Sequence, residues 1–227
     1  MNSSVFVKKL ASLHFKDAFN PYSDGCKEFD RHDAPRIRRE NLQLVIDAAL
    51  KISVDSLWIA RDLGYRGGRR TGLALTDEAH LYDHSHLYGD LPLKRATRGP
   101  VVVERTAKVI WQTLKLIDRP VFLWNVFPLH PHEPNDPQSN RCHTRAEREA
   151  CRPLLRWLIA SLQPKLVVAI GRDAELALAD MGIATSGVRH PSYGGQADFV
   201  HGMCSTYGLS SARCSEGQLS MFSEETL

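Results

Sequence analysis

Three short apolar runs constrain this chain more than any other feature: SLWIA (56–60), VFLWNV (121–126) and LVVAIG (166–171). Each is strand-length and apolar without alternation, the pattern of a strand buried on both faces. Segments of helical period lie around them. Residues 36–52 place Ile37, Leu44, Val45, Ala48, Ala49 and Ile52 at helical spacing, after Asp33 and a proline suited to a helix start. Further helical patterns run over 104–116, 151–162 and 173–181, and Thr144 with Glu147 forms a capping box ahead of 151–162. A shorter stretch, 184–189, reads as a fourth strand. Strands alternating with helices predict an α/β protein, a three-layer α/β/α sandwich around a central, mostly parallel four-stranded sheet. Ligands of such sheets bind beyond the carboxyl ends of the strands. The loops after Ala60, Val126 and Arg189 therefore converge on one edge.

The 227 residues are 43% hydrophobic, ample for one core, and the formal charge of +3 permits a nucleic-acid partner without requiring one. Residues 1–208 read as a single domain. Residues 209–227 turn polar and serine-rich, the composition of a mobile tail. Five cysteines, scattered and odd in number, form no disulfide framework and point to a reducing cytoplasm. The start, MNSSVFVKKL, has no long apolar core, and no run of eighteen apolar residues follows, so neither secretion nor membrane spanning is expected.

The segment RDLGYRGGRRTGLALTDE (61–78) concentrates glycine and arginine directly after the first strand. A phosphate-binding G-x-x-x-x-G-K-[ST] loop would need a lysine that GGRRT lacks, and G-x-G-x-x-G is also missing. Two readings remain for Arg61, Arg66, Arg69 and Arg70: a solvated cationic loop, or a rim that contacts phosphates.

Four segments in order resemble the uracil-DNA glycosylase superfamily. ARDLGYRGGRRTGLALT is similar to its first catalytic motif, G-Q-D-P-Y-H followed by G-L-A-F in the best-known branch, with Asp62 and Gly72 at matching spacing. LWNVFPLHP resembles the strand that ends in a base-reading asparagine, here Asn125. HTRAEREACRPLLRWLIASLQPKLVVAIGRDA is similar to the helix and strand of the iron–sulfur branch. RHPSYGG resembles the last motif, H-P-[SA], with His190 as its histidine. Taken singly, each residue has a structural alternative: Asp62 as a helix cap, Asn125 as a turn residue, His190 as a loop histidine.

The resemblance implies a monofunctional, single-domain DNA glycosylase that hydrolyses the N-glycosidic bond of a flipped-out uracil or modified pyrimidine and leaves an abasic site. Asp62 would orient water and stabilise the sugar cation, Asn125 would read the base, and His190 would stabilise the departing anion. Arg61, Arg66, Arg69, Arg70, Ser192 and Tyr193 are the expected DNA contacts, with Tyr193 standing in for the apolar wedge that Gly194 replaces. Gly64 occupies the position where the uracil-specific branch places a tyrosine against C5, so a C5 substituent is not sterically excluded unless Tyr65 closes the gap. Leu75 replaces the aromatic on which the base stacks. An enlarged pocket would also suit an anti-phage enzyme removing a bulky C5-modified cytosine such as glucosylated hydroxymethylcytosine. A noncatalytic DNA-binding module on the same fold is the alternative from another class.

No cofactor and no metal are expected. Of the cluster cysteines of the iron–sulfur branch, Cys151 matches one, Leu129 stands where another would fall, and Cys26 has no companion CxxC. The pairs His84 with His86 and His130 with His132 lack a second ligand group to fix a geometry. The expected partner is DNA, bound by a monomer. QLSMF (218–222) also resembles the peptide by which bacterial repair proteins bind the sliding clamp, through Gln218, Leu219, Met221 and Phe222.

Overall fold

A computed structural model of the chain describes residues 1–210 together with Ala212 and Cys214. Its elements in order are α1 (Ser3–Ala11), β1 (Ala18–Phe19), α2 (Ala34–Ala49), β2 (Ser56–Asp62), α3 (Gly68–Thr71), α4 (Leu81–Leu87), α5 (Arg105–Ile117), β3 (Val121–Phe127), β4 (His130–Pro131), α6 (Arg145–Leu162), β5 (Leu166–Ile170), α7 (Arg172–Ala179), β6 (Ser186–Val188) and α8 (Gln196–Tyr207). The central sheet has the order β3-β2-β5-β6, and all three pairings are parallel. β1 and β4 form a separate antiparallel ribbon.

Strand alternation divides the core into two layers. Leu57, Ile59, Phe122, Trp124, Val126, Val167 and Ala169 face one side and pack with residues of α1, α2, α6 and α7. Trp58, Ala60, Val121, Leu123, Val168 and Ile170 face the other and pack with α5 and α8. The result is the three-layer sandwich that buried apolar strands require. Helix α6 begins as the sequence predicts: Thr144 accepts from the Glu147 amide, and the Glu147 carboxylate accepts from the Thr144 amide.

Helix α8 has no counterpart in the sequence reading, because HPSYGGQADF opens with proline and glycine and its apolar spacing is weak. It is anchored by Tyr207, whose hydroxyl accepts from Trp58 Nε1 at 2.7 Å and bonds Ser56 Oγ. Gly208 then caps it in the left-handed region at φ 63°. Beyond the cap Leu209 and Cys214 pack back onto the α8 side of the sheet, and Cys214 forms a disulfide with Cys204. The scattered spacing of the five cysteines, read as no disulfide framework, gave no sign of this single bridge. The pairing depends on a helix and a return that composition does not reveal. Gln218, Leu219, Met221 and Phe222 lie outside the described residues. Among the described residues no helix is long and apolar enough to cross a membrane.

Candidate active site

The parallel sheet brings the carboxyl ends of β2, β5 and β6 together, and a cavity of about 420 Å³ opens there. Its lining includes Asp62 at the end of β2, Gly64 just beyond it, Leu75, Glu104, Gly171 after β5, and His190 with Ser192 after β6. Asp62 and His190 are 128 positions apart in sequence and share this wall because parallel pairing places every strand end on one edge.

Asp62 is held from both sides. Arg61 Nε donates to its Oδ2 at 2.6 Å, and His143 Nδ1 bonds its Oδ1. Both Asp62 and His143 side chains are nearly buried, at 6% and 5% exposure, so this pair is largely shielded from solvent. Arg61 also bridges to Asp173 at 3.0 Å, tying the end of β2 to the first turn of α7. His143 is a residue the sequence reading did not single out. It lies in the lead-in to α6, immediately before the capping threonine, and its role becomes visible only when α6 docks.

His190 presents one defined tautomer. Ser192 donates its backbone N–H to Nδ1 at 3.2 Å, and the Ser192 hydroxyl lies 2.8 Å from the same nitrogen. A backbone N–H can only donate, so Nδ1 accepts and the proton of the neutral ring resides on Nε2. Burial, with the cations Arg61 and Arg189 nearby, lowers the imidazole pKa to about 4, which keeps the ring neutral near pH 7. Gly171 is shaped to this ring: it sits at φ 88°, and a Cβ there would lie 3.2 Å from His190 Cβ.

Asn125 is not brought to the cavity wall. It is fully buried on β3, in register with Ala60, and donates from Nδ2 to the Asp62 carbonyl at 3.0 Å. Its Oδ1 is buried without a hydrogen-bond partner. Arg69 and Arg70 correct the expectation of a phosphate rim. They are 3% and 7% exposed. Arg69 donates to the Pro137 carbonyl and lies over Phe19, 4.3 Å from the ring centre. Arg70 pairs with Glu78 and lies 4.0 Å over Phe29. Charge in a glycine loop suggested a solvated rim, but α3 turns these two side chains inward, where aromatic faces and buried acceptors receive them. Arg61 keeps a partly exposed place on the cavity wall, and Arg66 is exposed beside it. Arg172 and Arg189, unremarked in the sequence, add exposed cations to the lining.

The glycines of 61–78 serve close packing. Gly72, at φ 72°, lies against Arg38, and its carbonyl accepts from the buried Tyr22 hydroxyl at 2.8 Å. Gly64 and Gly67 make room for Glu104: a Cβ on Gly64 would lie 2.9 Å from Glu104 Oε1, and one on Gly67 2.0 Å from Oε2. Tyr65 does not close the side that Gly64 opens. Its amide donates to Asn140, its hydroxyl accepts from Arg66 Nε, and it is absent from the cavity lining. The histidine pairs are spent on local contacts: His84 with Thr76, His86 with Asp90, His130 with the Ser139 carbonyl and His132 with the Glu133 carbonyl. Among the described residues no group of three His, Cys, Asp or Glu side chains is arranged to hold a metal ion.

A three-layer sandwich with a carboxylate at the end of its first long strand and a neutral histidine after its last defines a class of α/β proteins built to act at one sheet edge. The model of the uracil DNA glycosylase superfamily matches residues 65–210, and the chain belongs to that superfamily. The crystal structure of wild-type Pedobacter heparinus SMUG2 is similar in fold, with a TM-score of 0.57 over 92% of this chain and 96% of that one at 12% identity. No curated protein matches the sequence.

Proposed function

We propose that this protein is a monofunctional DNA glycosylase that hydrolyses the bond between deoxyribose C1′ and N1 of a flipped-out pyrimidine. The observation that carries the reading is the joint presentation of Asp62 and a neutral His190 on one cavity at the sheet edge. As the C1′–N1 bond breaks, its electron pair passes to the base and positive charge develops on the sugar. The Asp62 carboxylate stabilises that charge and orients a water, whose oxygen bonds C1′ and whose proton is released through the carboxylate. His190 Nε2–H donates toward O2 of the departing anion. A neutral donor suits this task because the tautomer and direction of the hydrogen bond are set before the reaction begins.

Arg61, Arg66, Arg172 and Arg189 supply the positive edge for phosphates. Tyr193, 98% exposed on the rim and at φ 51° beside Gly194, enters the space a flipped nucleotide leaves in this scheme. Ser192 serves His190 first and a phosphate second. Among the described residues no lysine lines the cavity, which supports hydrolysis without a Schiff base. Asn125 reads the base in this scheme only if its amide turns from the Asp62 carbonyl.

The volume favours a second substrate reading alongside uracil. A cavity of about 420 Å³, with Tyr65 turned away and Glu104 lining the side that Gly64 opens, has the volume for a pyrimidine carrying a C5 substituent. Base release measured by mass spectrometry from DNAs bearing uracil, cytosine or glucosylated hydroxymethylcytosine tests the proposal. Release that disappears in Asp62→Ala and His190→Ala is the expected result. Binding to these DNAs with no base released from any would make the protein a noncatalytic module.

A further inference from the structure

Glu104 is the feature of the cavity that the glycosylase chemistry leaves unused. It stands just before α5, where its backbone amide donates to Asp77 Oδ2 at 2.6 Å, and its carboxyl lines the same cavity as Asp62 and His190. The carboxyl group makes no hydrogen bond or ion pair within the described residues. It fills the space beside Gly64, the position that the superfamily resemblance sets against the C5 side of the base, where the exocyclic group on the adjacent C4 comes within its reach. The two glycines admit it, since a side chain at either position would displace its oxygens. The gap opened by Gly64 is therefore lined by a carboxyl group rather than empty.

Resting on the glycosylase reading, we infer that Glu104 is a specificity-determining residue that selects pyrimidines with an amino group at C4, the cytosine class, over those with a C4 carbonyl. The chemistry follows from what each edge offers. An ionised carboxylate only accepts hydrogen bonds, so it matches the N4 amino group of cytosine and opposes the O4 lone pairs of uracil. A protonated carboxyl can donate to O4 and also accept from N4, so it discriminates less. Burial and the neighbouring Asp77 carboxylate raise the Glu104 pKa to about 7, against the opposing pull of Arg66. Asp62 and His190 are the other titratable groups that share its cavity with Arg61, Arg141, Arg172, Asp173 and Arg189. Selectivity for the amino-bearing base should thus rise with pH through the neutral range.

The test compares two substrate pairs that differ only at C4: cytosine with uracil, and 5-hydroxymethylcytosine with 5-hydroxymethyluracil, each in the same duplex and as single strands. Single-turnover release is followed from pH 6 to 8.5, and the ratio within a pair cancels titrations that act on both members. The ratio of amino- to carbonyl-bearing base is expected to climb about tenfold across that range, the size of one good hydrogen-bond distinction. Glu104→Gln, which cannot ionise and can donate as well as accept, should flatten the ratio and raise release of the carbonyl-bearing base about tenfold at pH 8. Gly64→Ala, which pushes the carboxyl aside without touching the core, should lower the same ratio. A pH-independent ratio, or one left unchanged by Glu104→Gln, overturns the role of Glu104 while leaving the glycosylase intact. Absence of release from these four bases and from glucosylated hydroxymethylcytosine overturns the glycosylase reading and this inference with it.

Discussion

At the scale of single residues, the site works by fixing hydrogen-bond direction. His190 has its proton placed on Nε2 by a backbone amide, so its two contacts with Ser192 are not equivalent in consequence. His190→Ala is expected to lower kcat by about 10²–10³. Ser192→Ala keeps the amide that sets the tautomer and should cost about tenfold or less by the same reasoning, a difference that single-turnover kinetics will read. His143 is a positioning residue: it touches Asp62 and is itself nearly buried. His143→Ala frees the carboxylate to rotate and is expected to lower kcat by about 10–10², with KM for DNA little changed, because small misplacements of a reacting group are costly. A fall in affinity with kcat preserved would assign His143 to DNA binding instead.

Among the elements, the segment from β2 through α3 decides how the site is built. Its glycines bring backbone against Arg38, Leu63 and Glu104. Arg38 anchors the whole segment from α2, pairing with the buried Asp30 and donating from Nε to the Arg70 carbonyl at 2.9 Å. Gly72→Ala meets two penalties, a left-handed φ and a Cβ only 2.8 Å from Arg38 Cβ. The conformational part alone costs about 1–2 kcal/mol, so a lowered denaturation midpoint is expected. Base release should fall with it, because α3 anchors the loop that leads from Asp62 along the cavity wall. An unchanged midpoint would mean the segment relaxes freely and does not brace the site.

For the whole molecule, stability should depend on pH through its buried histidines. Burial lowers His84 to about 3 and His130 to about 3, and burial with the Arg61 and Arg189 cations lowers His190 to about 4. Between pH 6.5 and 4 the unfolded chain therefore binds protons at these sites that the folded chain does not, so their stabilisation is complete above pH 6.5 and is lost as pH falls. Glu104 works in the opposite sense: its raised pKa, about 7, means the folded chain gains relative to the unfolded one as pH drops from 7 to about 4.5. Three groups against one give a net excess near two protons, or at most about 2–3 kcal/mol per pH unit in that window. Denaturant midpoints measured from pH 7 to 4.5 should decline steadily. A flat profile would show that the histidines reach solvent before the fold opens.

The sheet, the capping box at Thr144 and the placement of Asp62 and His190 at strand ends were legible in the chain itself. They depend on local pattern: strand-length apolar runs, helical spacing, and the rule that parallel strands end on one edge. The environments of the side chains were not legible there. Arg69 and Arg70 look identical to Arg66 in sequence, yet α3 turns two inward and leaves one outside. Helix α8 was hidden by the glycines before it and stands through Tyr207, which bonds strand residues far away in sequence. Glu104 meets Gly64 and His143 meets Asp62 only after separate segments dock. Local periodicity specifies which backbone forms, because its hydrogen bonds and burial repeat along the chain. Which charges face a cavity, and which are buried and paired, is settled by contacts between distant segments, and those exist only in the packed tertiary structure.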